Sequence, residues 1–390
     1  MSPRENPYAP GAGTPPPELA GRDEVIERAA IALDRIRAGR AARSLILYGL
    51  RGVGKTVLLN RIRIEAEERG FAAVSIEAPE ERSLPGILAP VLRALLLRLD
   101  RGQAALALLR KAQKALASFV NRFKVKYHDI EIGVEFEPER GLADSGDLDS
   151  DLADLLSCVG KAAGESKTAA VLFIDELQYV PREQLASLIT ALHKTSQIQL
   201  PITMMAAGLP QLISQMGRAK SYAERLFEFT PVDRLDNQAA RDALCLPAEK
   251  QKVTFQKAAI GEILQQTEGY PYFLQEWGKH SWNIAHSSPI TEENAKRATI
   301  AAIAELDVSF FRVRLDKLTP TEKRYMRAMA DLGPGPHRSG DLAERLNQKV
   351  TSVAPVRNAL ISKGMIYSPA HGDTAFTVPL FDGFMKRTIP

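Results

Sequence analysis

Cysteine is scarce: Cys158 and Cys245 are the only two in 390 residues. Each falls within helix-like apolar periodicity, and neither has a second cysteine or a histidine at metal-ligand spacing. A disulfide framework and a zinc site are thereby excluded, and two buried, reduced thiols of a cytoplasmic protein are expected. Long apolar runs are missing as well. The longest, such as residues 169–174 and 204–207, fall far short of the ~20 residues that a membrane-spanning helix needs, so no membrane association is expected. Charge of one sign is barely in excess, since 51 Lys and Arg against 47 Asp and Glu leave +4. That is too little for strong nonspecific DNA affinity at physiological salt. The six histidines are scattered, and none shares a short motif with a serine, cysteine or aspartate that would suggest a triad.

With 45% hydrophobic residues, the composition is that of a globular chain. Its length predicts two or three domains at roughly 100 to 200 residues each. The opening MSPRENPYAPGAGTPPPEL has no apolar core segment and is loaded with proline and glycine, so it reads as neither signal peptide nor helix. Residues 1–19 are expected to form a disordered tail.

Against these absences stands a phosphate-binding motif. SLILY (44–48) reads as a short buried strand, runs into GLRGVGKT (49–56), and is followed by the helical pattern VLLNRIRIEAEE. This is a complete Walker A motif. Gly49, Gly52 and Gly54 let the backbone turn tightly so that successive N–H groups can face phosphates, and the following helix adds its positive end. The expected cofactor-binding set is Gly49, Leu50, Arg51, Gly52, Val53, Gly54, Lys55, Thr56 and Val57. Lys55 is expected to reach the β- and γ-phosphates of ATP, and the Thr56 hydroxyl to take one position on Mg²⁺.

Residues 171–176 read VLFIDE, four apolar residues suited to a central parallel strand and ending in two carboxylates. This is the Walker B pattern. Asp175 is expected to hold Mg²⁺ directly or through water, and Glu176 to polarise the attacking water. A pure nucleotide-binding switch would not need that base, so hydrolysis is expected over mere binding. Between the two motifs, FAAVSIEA (71–78) reads as a strand and a helix is expected to run from ILAPVLRALLLRL on through QAALALLRKAQKALASFV. Ile130, Ile132, Val134 and Phe136 alternate with polar residues as a half-exposed strand would, and 138–151 reads as a polar, acidic loop. Residues from about 100 to 150 are taken as an insertion.

After Walker B comes a helix, then LPITMMAAGLP as a further strand. Its end, Ala206-Ala207-Gly208, has no polar residue to sense the γ-phosphate, and Thr203 lies too early. SYAERLFEF (221–229) offers Arg225, which taken alone reads as a cation at the C-terminal end of a helix.

GRDE (21–24), the Walker pair, ERLF (224–227) and TEGYPYFLQ (267–275) together resemble the bacterial AAA-family ATP-binding proteins that are similar to archaeal and origin-recognition ATPases, at the border between AAA+ and STAND NTPases. The similarity covers residues from about 18 to 390. It implies that Gly21 and Arg22 flank the adenine, that Pro271 belongs to the turn closing a helical lid on the base, and that Arg225 acts in trans as an arginine finger in a homo-oligomer. The lid arginine usual in such proteins is not apparent near Gly269. GRDE as a helix cap and GYPYF as a turn into a core helix remain open.

Residues 238–305 read as a helical lid and 306–390 as three helices with a β-hairpin, a winged helix-turn-helix. The fold class expected is α/β: residues 20–237 form a P-loop NTPase with a parallel sheet sandwiched by helices, followed by the all-α lid and the winged helix. Thr351, Ser352, Arg357, Asn358 and Lys363 of the third helix, with Arg312, Arg314, Lys317, Lys323, Arg324 and Arg327 on its flank, are candidates to contact double-stranded DNA. Two functions stay open: a DNA-associated ATPase with Arg225 completing a neighbour's site, and a STAND-like signalling switch whose winged helix contacts protein.

Overall fold

The computed structural model describes residues 1–78, 83–99, 106–124, 126–127, 130–131 and 137–389. Helix α1 (Asp23–Arg37) precedes strand β1 (Ser44–Tyr48), helix α2 (Lys55–Glu68) and strand β2 (Ala72–Glu77). Helices α3 (Leu84–Leu99) and α4 (Leu106–Phe123), strands β3 (Lys126–Tyr127) and β4 (Ile130–Glu131), and helix α5 (Leu148–Glu165) lead to β5 (Ala170–Asp175). Then come α6 (Arg182–Gln197), β6 (Ile202–Gly208), α7 (Gln211–Ala219), α8 (Ala223–Leu226) and β7 (Phe227–Pro231).

The large sheet has the order β2-β5-β6-β1-β7, and every neighbouring pair in it is parallel. Strand β6 is buried at every position, which is why its sequence is a continuous apolar run without alternation. Alternate residues of one strand feed separate cores. Val171 and Phe173 share a core with α2 and with helical residues of 239–306, whereas Leu172 and Ile174 pack with helices α3 to α6.

Two expectations for the segment between β2 and β5 need revision. The apolar stretch forms two helices, α3 and α4, that pack against each other and so are not one continuous helix. The polar loop closes earlier than its composition suggests, because Asp147 caps α5 from Leu148 and the buried Asp151 carboxylate accepts hydrogen bonds from Ser145 and Gly146. Of the alternating residues, Ile132, Val134 and Phe136 lie outside the described residues.

Helices α9 (Asn237–Lys250), α10 (Lys257–Thr267), α11 (Pro271–Ile284) and α12 (Glu292–Leu306) form a bundle beside the sheet. The chain does not break at 306, where the sequence pattern changes. A π-helical turn at Asp307–Phe311 carries α12 straight into α13 (Arg312–Asp316), since no proline or glycine falls between Ala301 and Leu318. Beyond it are α14 (Pro320–Leu332), strand β8 (His337–Arg338), α15 (Ser339–Arg345), α16 (Val350–Ser362), strands β9 (Ile366–Tyr367) and β10 (Asp373–Phe376), and α17 (Phe381–Thr388). The last three strands form an antiparallel sheet of order β8-β10-β9. Among the described residues, no helix is long and apolar enough to cross a membrane.

The segment expected to be a disordered tail is instead docked. Tyr8 is buried, its hydroxyl donates to the Leu244 carbonyl in α9, and Gly278 of α11 makes room for its ring: a Cβ there would stand 2.6 Å from it. Trp282 donates to Ser2 O at 2.9 Å, and Asn6 donates to Lys279 O at 3.0 Å. Proline and glycine deny this stretch a helix, but they do not deny it an anchor.

Candidate nucleotide site

The carboxyl ends of β1 and β5 open into a cleft of about 580 Å³, a size that suits a nucleotide. Residues 51–57, Asp175 and Glu176 form its floor, Arg22 and Pro271 stand at its sides, and residues 9–14 run along it. The loop glycines serve different ends. Gly52 and Gly54 take φ of 82° and 88°, the left-handed region. Gly49 is there for closeness, since a Cβ would meet Val232 O at 2.0 Å.

Lys55 is buried at the start of α2 and donates to Leu50 O at 2.8 Å. Burial pushes its ammonium down to about 8, against the pull of Glu176 and Asp175. Burial also raises the Asp175 carboxyl, although the Thr56 hydroxyl donates to it. Asp175 and Thr56 together are hard oxygen donors, of the kind that Mg²⁺ takes. Glu176 sits at φ 52° and accepts a hydrogen bond from Gln178, while its other oxygen lies 3.8 Å from Arg51. Lys55 and Arg51 thus face two carboxylates at the end of a parallel sheet, beside a helix N-terminus, which is an arrangement that can take a polyphosphate with a divalent cation.

The other expected residues divide. Arg22 donates to Asp233 O at 2.5 Å and to Val53 O at 3.3 Å, tying the phosphate loop to the exit of β7. Pro271 opens α11, and the next residue, Tyr272, donates from its backbone to Gly52 O at 3.1 Å. Gly21, Gly49 and Leu50 are not among the lining residues, and neither is Arg225, which is exposed on the short α8. Thr203 pairs with Ser44 at 3.1 Å, at the far end of the strands.

Several residues in or beside the cleft carried no clear signal in the sequence. Gln178 is buried and bridges Glu176 to the end of β6, where its Oε1 accepts from Leu209 N at 3.0 Å. Arg314, expected on a DNA-facing flank, lines the cleft instead, because the unbroken helix through the π-turn swings it inward with Phe310. Residues 9–14 gave no signal beyond their composition. For Gln178 the only available clue was its spacing of two from Glu176.

Residues 18–205 match the family model described as an AAA ATPase domain, and residues 308–385 match one described as a domain of unknown function (DUF8462). No curated protein matches the chain. Among solved structures, a Walker-type ATPase of Pyrococcus abyssi is similar at 15% identity and a TM-score of 0.58, covering 94% of this chain and 96% of that one. The Orc1 protein of Aeropyrum pernix, solved in complex with DNA, is similar at 15% identity and a TM-score of 0.48, covering 96% and 94%. A RuvB Holliday junction branch migration motor of Thermotoga maritima gives 15% identity and 0.44, covering 92% of each chain. The first of these likenesses shows the fold, and with the domain match it supports an AAA+ P-loop ATPase.

Proposed function

We propose that this protein binds ATP with Mg²⁺ and hydrolyses it, and that the bound nucleotide governs how the lid and the C-terminal domain sit on the phosphate loop. The observation that carries this is the meeting of Lys55, Thr56, Asp175 and Glu176 in one cleft whose other walls come from α11 and from Phe310 and Arg314. Lys55 is the phosphate-binding cation and Glu176 the base that polarises water, with Asp175 and Thr56 holding the metal. Bound Mg²⁺ supplies neutralisation of phosphate charge. Steady-state ATPase measurements test this reading. Lys55→Ala is expected to abolish nucleotide binding, and Glu176→Gln to keep binding and lose turnover. Hydrolysis by Glu176→Gln at the wild-type rate would remove Glu176 from the role of base.

We read residues 306–390 as a winged helix that docks on the ATPase domain and contacts protein when released. Support comes from the Arg51 backbone N–H, which donates to Thr377 O at 2.9 Å, and from the pairing of the domain's basic residues. Arg357 is engaged by Thr374, Ser368 and the Asp373 carbonyl, Lys363 by Glu322, Arg327 by Asp331, and Arg312 by Asp316. A cation already paired within the domain has less to offer a phosphate backbone. The second reading, a DNA-associated ATPase, rests on exposed Thr351, Ser352 and Asn358 of α16, with Lys349 beside them. Two buried free thiols support a cytoplasmic location.

A further inference from the structure

Ser309, Phe310, Val313 and Arg314 belong to the domain matched at 308–385, yet they line the nucleotide cleft. Their placement is fixed by aromatic packing. The Phe310 ring stacks on Tyr272 with centroids 4.8 Å apart and meets Phe273 edge-on. The Arg314 guanidinium lies 3.9 Å over the Phe310 ring and donates to the Phe310 carbonyl of its own helix. Among the described residues, Arg314 forms no ion pair with a carboxylate. Burial lowers its pKa to about 10, and the like charge of Arg51 adds to the lowering. A guanidinium held in this way, half-buried against aromatic rings and beside a second arginine, has no carboxylate at ion-pair distance among the described residues, and only the pull of Tyr272, Tyr179 and Glu176 offsets its burial. The cleft that it faces is built for phosphate.

We infer that the 308–385 domain is the phosphate-state sensor of this ATPase, with Arg314 binding the terminal phosphate of ATP in cis. The inference rests on the ATP reading above and assigns a role to a domain that the phosphate loop does not require. Arg314 is carried on the helix that runs from the lid through the π-turn, so an anion that draws its guanidinium also pulls on α12 and on the domain beyond. The same domain touches the phosphate loop on a second side, where a Cβ at Gly364 would stand 3.0 Å from Arg51. One domain therefore feels both the loop and the phosphate it holds. Neither the lid nor the end of β6 needs to supply a sensor.

The test is equilibrium binding of Mg-ADP and of a non-hydrolysable Mg-ATP analogue to the full chain, in wild type, Arg314→Gln and Arg314→Lys. Glutamine keeps the stem over Phe310 and removes the charge, so retained ADP binding reports an intact fold. Arg314→Gln is expected to weaken the ATP analogue by on the order of tenfold or more while leaving ADP within about twofold, with partial recovery in Arg314→Lys. Limited proteolysis supplies a second readout: the wild-type pattern over 306–319 should differ between the two nucleotides, and the Arg314→Gln pattern should not. Equal weakening of both nucleotides, or of neither, overturns the sensor role, as does a wild-type pattern blind to nucleotide. Failure of the wild type to bind either nucleotide brings down the ATP reading and the inference with it, whereas normal wild-type binding with an unchanged Arg314→Gln ratio brings down the inference alone.

Discussion

Lys55 is the residue on which pH should act most visibly. Burial disfavours its charge and pushes its ammonium down to about 8 from an ordinary 10.5. Below pH about 8 both states are protonated and the full cost of burying the charge is present; between there and 10.5 the folded state has shed its proton first, so the cost is progressively relieved and stability rises with pH. The melting temperature of the wild type is expected to gain on that of Lys55→Met as pH is raised from about 7.5 to about 8.8, and parallel curves would show that Lys55 carries no such shift. Gln178 offers a second expectation. Its amide holds the Glu176 carboxylate while its oxygen accepts from Leu209 N, so Gln178→Ala leaves that carboxylate, the proposed base, unanchored and a buried N–H unpaired. A fall in kcat of roughly tenfold with little change in KM is expected, together with a loss of about 1 to 2 kcal/mol in stability; a change confined to KM would argue against positioning. Lys55, Thr56, Asp175 and Glu176 could be picked out in the sequence because local spacing on a strand-loop-helix unit determines their geometry. Arg314 could not, since its direction depends on a π-turn and on rings that come from a different helix.

At the scale of elements, the parallel strands were readable because a strand buried on both faces must be a continuous apolar run, as β5 and β6 are. The N-terminal segment was not readable in that way. Composition reports what local structure a stretch can form, and says nothing about the groove at Gly278, 270 residues on in sequence, that accepts Tyr8. Docked on α9 and α11, the segment then runs past the cleft, where a Cβ on Gly13 would meet the Thr56 methyl at 3.3 Å. Removal of residues 1–14 is therefore expected to speed nucleotide dissociation several-fold by opening one wall. Tyr8→Ala should cost roughly 3 kcal/mol through the loss of a buried ring and its hydrogen bond. Stopped-flow release of a fluorescent nucleotide and chemical denaturation measure the two effects, and an unchanged release rate would make the segment a lid ornament without a hold on the site.

At the scale of the whole molecule, the exposed groups bear on assembly and on DNA. Arg225 lies outside the cleft of its own chain and on the surface, so any role at a phosphate must be in a second copy. Wild-type specific activity is expected to rise with protein concentration, and that of Arg225→Ala to stay flat at the low-concentration wild-type value. Equal activity of the two at every concentration would return Arg225 to the role of a helix-end cation. DNA binding tests the other surface. A protein that neutralises several backbone phosphates loses on the order of 10³-fold or more in affinity between 50 and 200 mM salt. Here the net charge is only +4 and the best-placed arginines are tied to neighbours within their own domain. Duplex affinity is accordingly expected to be weak at physiological salt, with a shallow salt slope that ADP and ATP analogues leave unaltered. A steep slope that appears only with the ATP analogue would mean that releasing the domain from Arg51 uncovers a basic face, and the DNA-associated reading would then take the place of the protein-contact one.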